Sequence, residues 1–137
     1  MSQKNVEIVR QVFERFIEGA RHGDFGAWFD SEHVAEDLEW ITPGVGLGTY
    51  RGRAAFVAFF AIWTEDFEAW SFDLERLIDA GDDQVVGVFL QTATGRASGV
   101  PVELHQALVY ELQDGQVVRV RNYFDPEEAL EAAGLSE

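Results

Sequence analysis

The spacing of the hydrophobic positions changes once along the chain, near residue 70. Before that point apolar residues recur every three or four positions, which indicates helices with one buried face. The first such set is Val6, Val9, Phe13, Phe16 and Ala20. The second follows Gly52 and consists of Phe56, Phe59, Phe60, Trp63 and Phe67. The sequence therefore predicts two long helices, with a short strand at 38–42 between them.

After residue 70 apolar and polar residues alternate, which is typical of strands with one buried face. Four runs have this pattern, at 71–79, 84–94, 102–112 and 116–124. Asp114 and Gly115 separate the last two runs, and this pair is a strong signal for a two-residue hairpin turn. Helices followed by consecutive strands indicate an α+β fold with an antiparallel sheet.

A short helix is predicted at the end of the chain. Asp125 stands where an N-cap residue would, Pro126 occupies the first helical position, and acidic residues follow in the first turn. Gly134 is placed to end this helix.

The alternation also assigns strand faces, and each of the last two strands has one amide on its predicted buried face. In the strand at 102–112 the even-numbered residues are the buried ones, and Gln106 is the amide among them. In the last strand the predicted buried residues are Val118, Val120, Asn122 and Phe124. A buried polar group without a partner costs about 1–3 kcal/mol. The two amides therefore either bond within an ordinary core or face a cavity and bind a ligand.

The opposite face of these two strands is unusually apolar for a surface in contact with water. It carries Ala107, Val109, Val117 and Tyr123 among its charged residues. Apolar surface of this kind is typical of an interface between identical chains. The sequence therefore predicts a homodimer that forms through the outer face of the sheet.

Composition limits the function further. A chain of 137 residues is expected to form a single domain, spanning 1–137, and its formal net charge of -15 argues against nucleic acid and membrane surfaces as partners. There is no cysteine, and His22, His33 and His105 lack metal-ligand spacing, so neither a metal site nor a cofactor is expected. The first residues lead into an amphipathic pattern and no run is apolar enough to span a bilayer, which favours a cytoplasmic protein.

Few residues qualify for chemistry. Asp125 is the best acid–base candidate because it ends the last strand, although the same residue also suits an N-cap. His105 lies on the more polar face of its strand. The glycines at 44–48 miss the dinucleotide-binding spacing and are interpreted as a flexible loop.

Five stretches, in order along nearly the whole chain, give it a resemblance to a known family. They are 49–53 (TYRGR), 78–83 (IDAGDD), 95–100 (GRASGV), 114–118 (DGQVV) and 123–130 (YFDPEEAL). With them the chain is similar to SnoaL-like members of the nuclear-transport-factor-2-like superfamily. The resemblance implies a cystatin-like cone, in which a curved antiparallel sheet wraps around N-terminal helices and encloses a pocket. It does not imply one function, because the superfamily includes isomerases, cyclases, hydrolases, dehydratases and non-catalytic binders.

Known relatives place catalytic groups at positions that can be compared with this chain. The three catalytic positions of ketosteroid isomerases correspond to Phe16, Trp40 and Leu108, none of which can transfer a proton. Polyketide cyclases of the SnoaL type carry Gln-x-His on a late strand and an aspartate after the last one. The glutamine and aspartate correspond to Gln106 and Asp125, while the histidine position is Leu108.

Three functions are compatible with these observations. The first is binding of a small apolar or aromatic molecule, whose expected contacts are Phe16, Trp40, Tyr50, Trp63, Gln106, Leu108 and Asn122. The second is an acid–base enzyme of cyclase, isomerase or hydrolase type that uses Asp125 with Gln106. The third is a non-catalytic, dimeric interaction module. The sequence does not identify the ligand or the pathway, and it does not assign a role to His105.

Overall fold

Helices precede the long strands in the computed structural model, which describes residues 2–43 and 48–135, without the side chains of Ser2 and Trp63. Its helices are α1 (Ser2–Arg21), a short 3₁₀ helix (Ala27–Asp30), α2 (Gly52–Asp66) and α3 (Pro126–Ala132). Its strands are β1 (Val34–Ile41), β2 (Thr49–Arg51), β3 (Phe67–Gly81), β4 (Gln84–Gly95), β5 (Pro101–Gln113) and β6 (Gln116–Tyr123). The predictions for the loop at 44–47 and for the Trp63 side chain lie outside the described residues.

The strands form one six-stranded sheet in the order β2-β1-β6-β5-β4-β3, which confirms the α+β class. Strands β3 to β6 form an antiparallel meander, as the hairpin turns require. The expectation of a purely antiparallel sheet is wrong for one pair, because β1 lies parallel to β6. No hairpin joins these two strands, so no turn fixes their relative direction.

Several element boundaries differ from the sequence prediction, and the strand expected at 38–42 begins earlier, at Val34. Helix α2 ends at Asp66, so Phe67 opens β3 instead of completing the helical stripe. The last carbonyls of α2 are taken up by Arg96, whose side chain donates to Thr64 O at 3.1 Å and whose backbone N–H donates to Asp66 O at 2.9 Å. Strand β2 was not predicted because three residues are too few for an alternating pattern.

A β-bulge in β6 changes which residues face the core. Glu111 pairs with Arg119, whereas the next residue, Leu112, pairs with Val117, so Val118 is the extra residue. Val117 is consequently fully buried in the main core, and Val118 is only half-buried. The sequence analysis placed Val118 on the buried face and Val117 on the outer face, and this assignment is wrong for both residues.

Part of the outer face of the sheet is covered by the chain's own last helix. Ala107, Val109 and Tyr123 belong to a second core, in which Ala129 and Ala133 from the segment at α3 pack on them. The apolar patch that suggested a dimer interface is thus buried within one chain, with Val117 in the other core. The homodimer stays a prediction, but it loses the surface on which it was based.

Gly19 allows the chain to turn back after α1 and bring the 3₁₀ helix over the core. The backbone N–H of Asp24 donates to Gly19 O at 2.8 Å, which closes the turn. A Cβ at Gly19 would overlap the carbonyl oxygen of Asp24 and lie 2.7 Å from the Cβ of Ala27. A side chain here would therefore push away the segment that carries Trp28.

We expect Gly19→Ala to lower the free energy of unfolding by about 1–3 kcal/mol, because the added methyl group overpacks this contact. In an exposed helix the same change would raise stability by about 0.5–1 kcal/mol. Urea denaturation measures the difference. The control is the difference in stability between Glu14→Gly and Glu14→Ala, which gives the ordinary advantage of alanine over glycine at an exposed position of α1. A Gly19→Ala variant more stable than the unmodified protein would contradict the close approach of Asp24 and Ala27 to Gly19.

Candidate functional site

A cavity of about 40 Å³ lies between the helices and the inner face of the sheet. Of its fifteen described lining residues ten are aromatic, and the helices supply half of these rings. They are Phe13 and Phe16 of α1, Trp28 of the 3₁₀ helix, and Phe59 and Phe60 of α2. The helical spacing of three and four predicted from the sequence thus aims these rings at the sheet.

The sheet supplies the polar groups of the lining. Gln91 of β4, Gln106 of β5 and Asn122 of β6 are all buried side chains on its inner face. Gln106 Nε2 donates to Asn122 Oδ1 at 3.3 Å, so the two amides identified in the sequence contact each other. Rings therefore line the cavity on both sides, and its three amides all lie on the sheet side.

Two buried polar atoms of the lining have no hydrogen-bond partner among the residues that the structure describes. They are the indole Nε1 of Trp40, a donor, and the amide Oε1 of Gln106, an acceptor. Trp28, by contrast, donates its Nε1–H to Phe25 O at 3.1 Å. Both residues line the cavity, and one of these atoms is a donor and the other an acceptor.

The described lining contains no carboxylate, histidine, lysine or arginine. Its one titratable group is Tyr110, and burial raises the pKa of that phenol, so Tyr110 is neutral near pH 7. Charges lie instead on the outer face, where Glu39 accepts from Arg119 at 3.0 Å and Glu111 accepts from it at 3.1 Å. The hydrogen bond to Glu39, with the nearby charge of Glu111, raises the pKa of Arg119.

Five of the predicted ligand-binding residues line the cavity together. They are Phe16, Trp40, Gln106, Leu108 and Asn122. Tyr50 does not line it and packs behind Phe59, with ring centroids 4.5 Å apart. His105 points to the outer face, where its Nε2 lies 2.7 Å from Glu75 Oε1.

Asp125 is the N-cap of α3 and does not line the cavity. Its Oδ1 accepts from the backbone N–H of Glu127 at 3.0 Å, and its side chain is exposed. The neighbouring Phe124 does reach the cavity. The geometry favours the capping role that the sequence allowed for Asp125.

Sequence reasoning missed Gln91 as a lining residue. It has the same parity in β4 as Val85 and Phe89, so alternation would have identified it as a third amide on the buried face. Trp28 and Tyr110 could not be separated from ordinary core residues, because aromatic side chains are common in both settings.

No group of three or more histidines, cysteines or acids within the described ranges is arranged to hold a metal ion. Over the same part of the chain, no helix is long and apolar enough to cross a membrane.

Comparison with known proteins identifies the family. The family model of the SnoaL-like domain matches residues 13–120, which is most of the chain. The chain belongs to the SnoaL-like family. The sequence matches none of the curated proteins with which it was compared.

Solved structures show the same fold. A nuclear-transport-factor-2-like protein from Burkholderia xenovorans is 28% identical, with a TM-score of 0.66 over 97% of each chain. A candidate SnoaL-like polyketide cyclase from Jannaschia sp. is 21% identical, with a TM-score of 0.69 over 88% of this chain and 84% of that one. A protein of ketosteroid isomerase-like fold from Catenulispora acidiphila, in complex with trimethylamine, is 15% identical, with a TM-score of 0.68 over 90% and 92%.

For Asp125 we expect two substitutions to separate capping from proton transfer. Asn caps a helix about as well as Asp, so Asp125→Asn should change the free energy of unfolding by no more than a few tenths of a kcal/mol. Asp125→Ala should lower it by about 0.5–2 kcal/mol. Thermal or urea unfolding measures both. If Asp125→Asn is as destabilising as Asp125→Ala, the carboxylate has a role beyond the cap.

Proposed function

We propose that this SnoaL-like protein binds a small, largely apolar molecule that carries one neutral group able both to donate and to accept a hydrogen bond. The observation that carries the proposal is that two residues lining the cavity each have a buried polar atom without a partner among the described residues, Nε1 of Trp40 and Oε1 of Gln106. A hydroxyl, a carboxamide or an oxime is the kind of group that can bond to both.

The two atoms are costly to the folded protein on their own. Each buried polar group left unpaired costs about 1–3 kcal/mol, and apolar side chains of similar shape would avoid that cost. Neither atom is needed for backbone pairing, since both belong to side chains on the inner face of strands. Their presence in one aromatic cavity therefore supports a ligand that pairs with them.

The ligand is expected to be uncharged. The described lining has no ionised group to pair with a buried charge, and an unpaired buried ion is far more costly than an unpaired amide. The net charge of -15 also disfavours the approach of anions. An amine is a useful comparison, because a protein of the same fold was solved with trimethylamine.

Binding without acid–base chemistry fits the geometry better than the enzyme alternative does. In the alternative, Asp125 would exchange protons while Gln106 polarises a carbonyl group. The Asp125 carboxylate bonds instead to the first turn of α3, and the three positions aligned with isomerase catalytic groups, Phe16, Trp40 and Leu108, line the cavity without a titratable side chain. Proton transfer needs a positioned acid or base within hydrogen-bond reach of the substrate.

The Trp40 indole is tested with benzyl alcohol and toluene, which share a ring and differ by a hydroxyl group. Trp40→Phe keeps an aromatic ring and removes the N–H. We expect the affinity ratio of benzyl alcohol to toluene to fall about fivefold, equivalent to about 1 kcal/mol for one hydrogen bond. Calorimetric titration of both ligands gives the ratio, and benzylamine and benzoate serve as the charged comparisons.

Trp28→Phe is the matched control for Trp40→Phe. It removes the same volume from the same cavity, but its N–H is already bonded to Phe25 O. The affinity ratio should therefore stay at its original value in Trp28→Phe. An equal fall in both variants would show that cavity shape, and not the Trp40 donor, sets the preference. Binding of neither compound by the unmodified protein would overturn the proposed function.

The two contacting amides give a second test, on stability. Gln106→Met removes the unpartnered Oε1 but leaves Asn122 Oδ1 without its donor, so the two effects on the free energy of unfolding should largely cancel. The double variant Gln106→Met with Asn122→Leu removes both polar groups and should be about 1–3 kcal/mol more stable than Gln106→Met. It should also lose preference for benzyl alcohol over toluene. A double variant less stable than Gln106→Met would indicate that the amides serve the fold.

A further inference from the structure

A second cavity, the outer cavity, adjoins the one described above. Its volume is about 120 Å³, compared with about 40 Å³ for the inner cavity. It is lined by Phe67, Trp70, Gln91, Ala93, Val102 and Leu104. Apart from the Gln91 amide, this lining consists of apolar side chains and the amphipathic ring of Trp70.

Strand register places the two cavities in succession along the same face of the sheet. Gln106 of β5 lies opposite Phe89 of β4 in the inner cavity, and Leu104 lies opposite Gln91 two residues further along. A shift of two residues along a strand is about 7 Å. Gln91 lines both cavities, so its side chain lies between them.

A bulge in β3 builds the far wall of the outer cavity. Glu68 pairs with Thr94 and Ser71 with Thr92, so Ala69 and Trp70 together oppose Ala93. Ala69 has a φ of 59°, a conformation that costs a residue with a side chain about 1–2 kcal/mol. Phe67 before the bulge pairs with Gly95 and Phe72 after it pairs with Gln91, so the bulge sets both rings on the inner face. The Trp70 ring is parallel to that of Phe72, with centroids 6.1 Å apart.

The inner cavity alone is too small for the guest that its polar atoms suggest. It has room for about three water molecules, which matches a single polar group better than a complete organic molecule. The outer cavity is three times as large, and several of its side chains are half-buried. The polar group and the apolar bulk of one ligand therefore have separate places on one face.

We infer that the outer cavity binds an apolar chain of the same ligand whose polar group enters the inner cavity. This inference rests on the proposed function and names the ligand class: a neutral, elongated amphiphile with a terminal hydroxyl or amide and an aliphatic extension. The chain passes the Gln91 side chain and contacts Leu104 and Val102.

A series of benzyl alcohols with para-methyl, para-propyl and para-pentyl chains tests the inference by calorimetry. Each methylene buried in the outer cavity should raise affinity on the order of threefold. Leu104→Trp fills this cavity, so the longer chains should bind no more tightly than benzyl alcohol does to the same variant. Glu103→Trp places the same side chain on the opposite face of β5 and should keep the full gain.

The outcomes are distinguishable. If benzyl alcohol binds and the chain-length gain is the same in Leu104→Trp as in Glu103→Trp, the outer cavity does not hold the chain and the inference is overturned. If Leu104→Trp changes the molecular mass measured by light scattering instead, the cavity is an interface between protein chains, which also overturns it. If benzyl alcohol does not bind to the unmodified protein, the proposed function fails first. Circular dichroism on each variant confirms that it is folded.

Discussion

The packing of aromatic rings around Phe16 holds the helices on the sheet. The ring of Phe16 lies against four others, with centroid separations between 5.0 and 6.4 Å. These are the rings of Phe13 in α1, Trp28 in the 3₁₀ helix, Phe60 in α2 and Phe72 in β3. Most of these rings meet edge to face, the arrangement that their quadrupoles favour. Several of these rings also line the cavity, so the interaction that assembles the core forms part of the cavity wall as well.

Local patterns in the sequence determine much of this arrangement. Spacing of three and four predicted α1 and α2, the Asp114 and Gly115 turn predicted the β5–β6 hairpin, and Asp125 with Pro126 predicted the start of α3. Each of these signals acts between residues close in the chain, where periodicity and turn chemistry are decisive. Alternation also placed Gln106 on the inner face, because one face of a strand is fixed once its register is known.

What the sequence did not predict depends on contacts between distant segments. The extra residue Val118 follows from how β6 pairs with β5, and the bulge at Ala69 follows from how β3 pairs with β4. Neither bulge is visible in a local sequence pattern, yet each one changes which residues of its strand face the core. The same is true of the patch at Val109, which reads as exposed until α3 is folded onto it. The Trp40 indole was expected at the site, but only the assembled structure shows that its donor has no partner in the part of the chain that is described.

The burial of the middle of β5 on both faces makes the sheet harder to open than the helical layer. A strand covered by one core on each side opens only when the whole domain unfolds, so the amide hydrogens around Gln106 and Leu108 should be among the slowest to exchange. Helix α2, by contrast, has one side against the rings and exposes Val57 and Ile62 on the other. We therefore expect that a molecule larger than the cavity would displace the helical layer and leave the sheet in place, and that the energy of this displacement would be subtracted from its affinity.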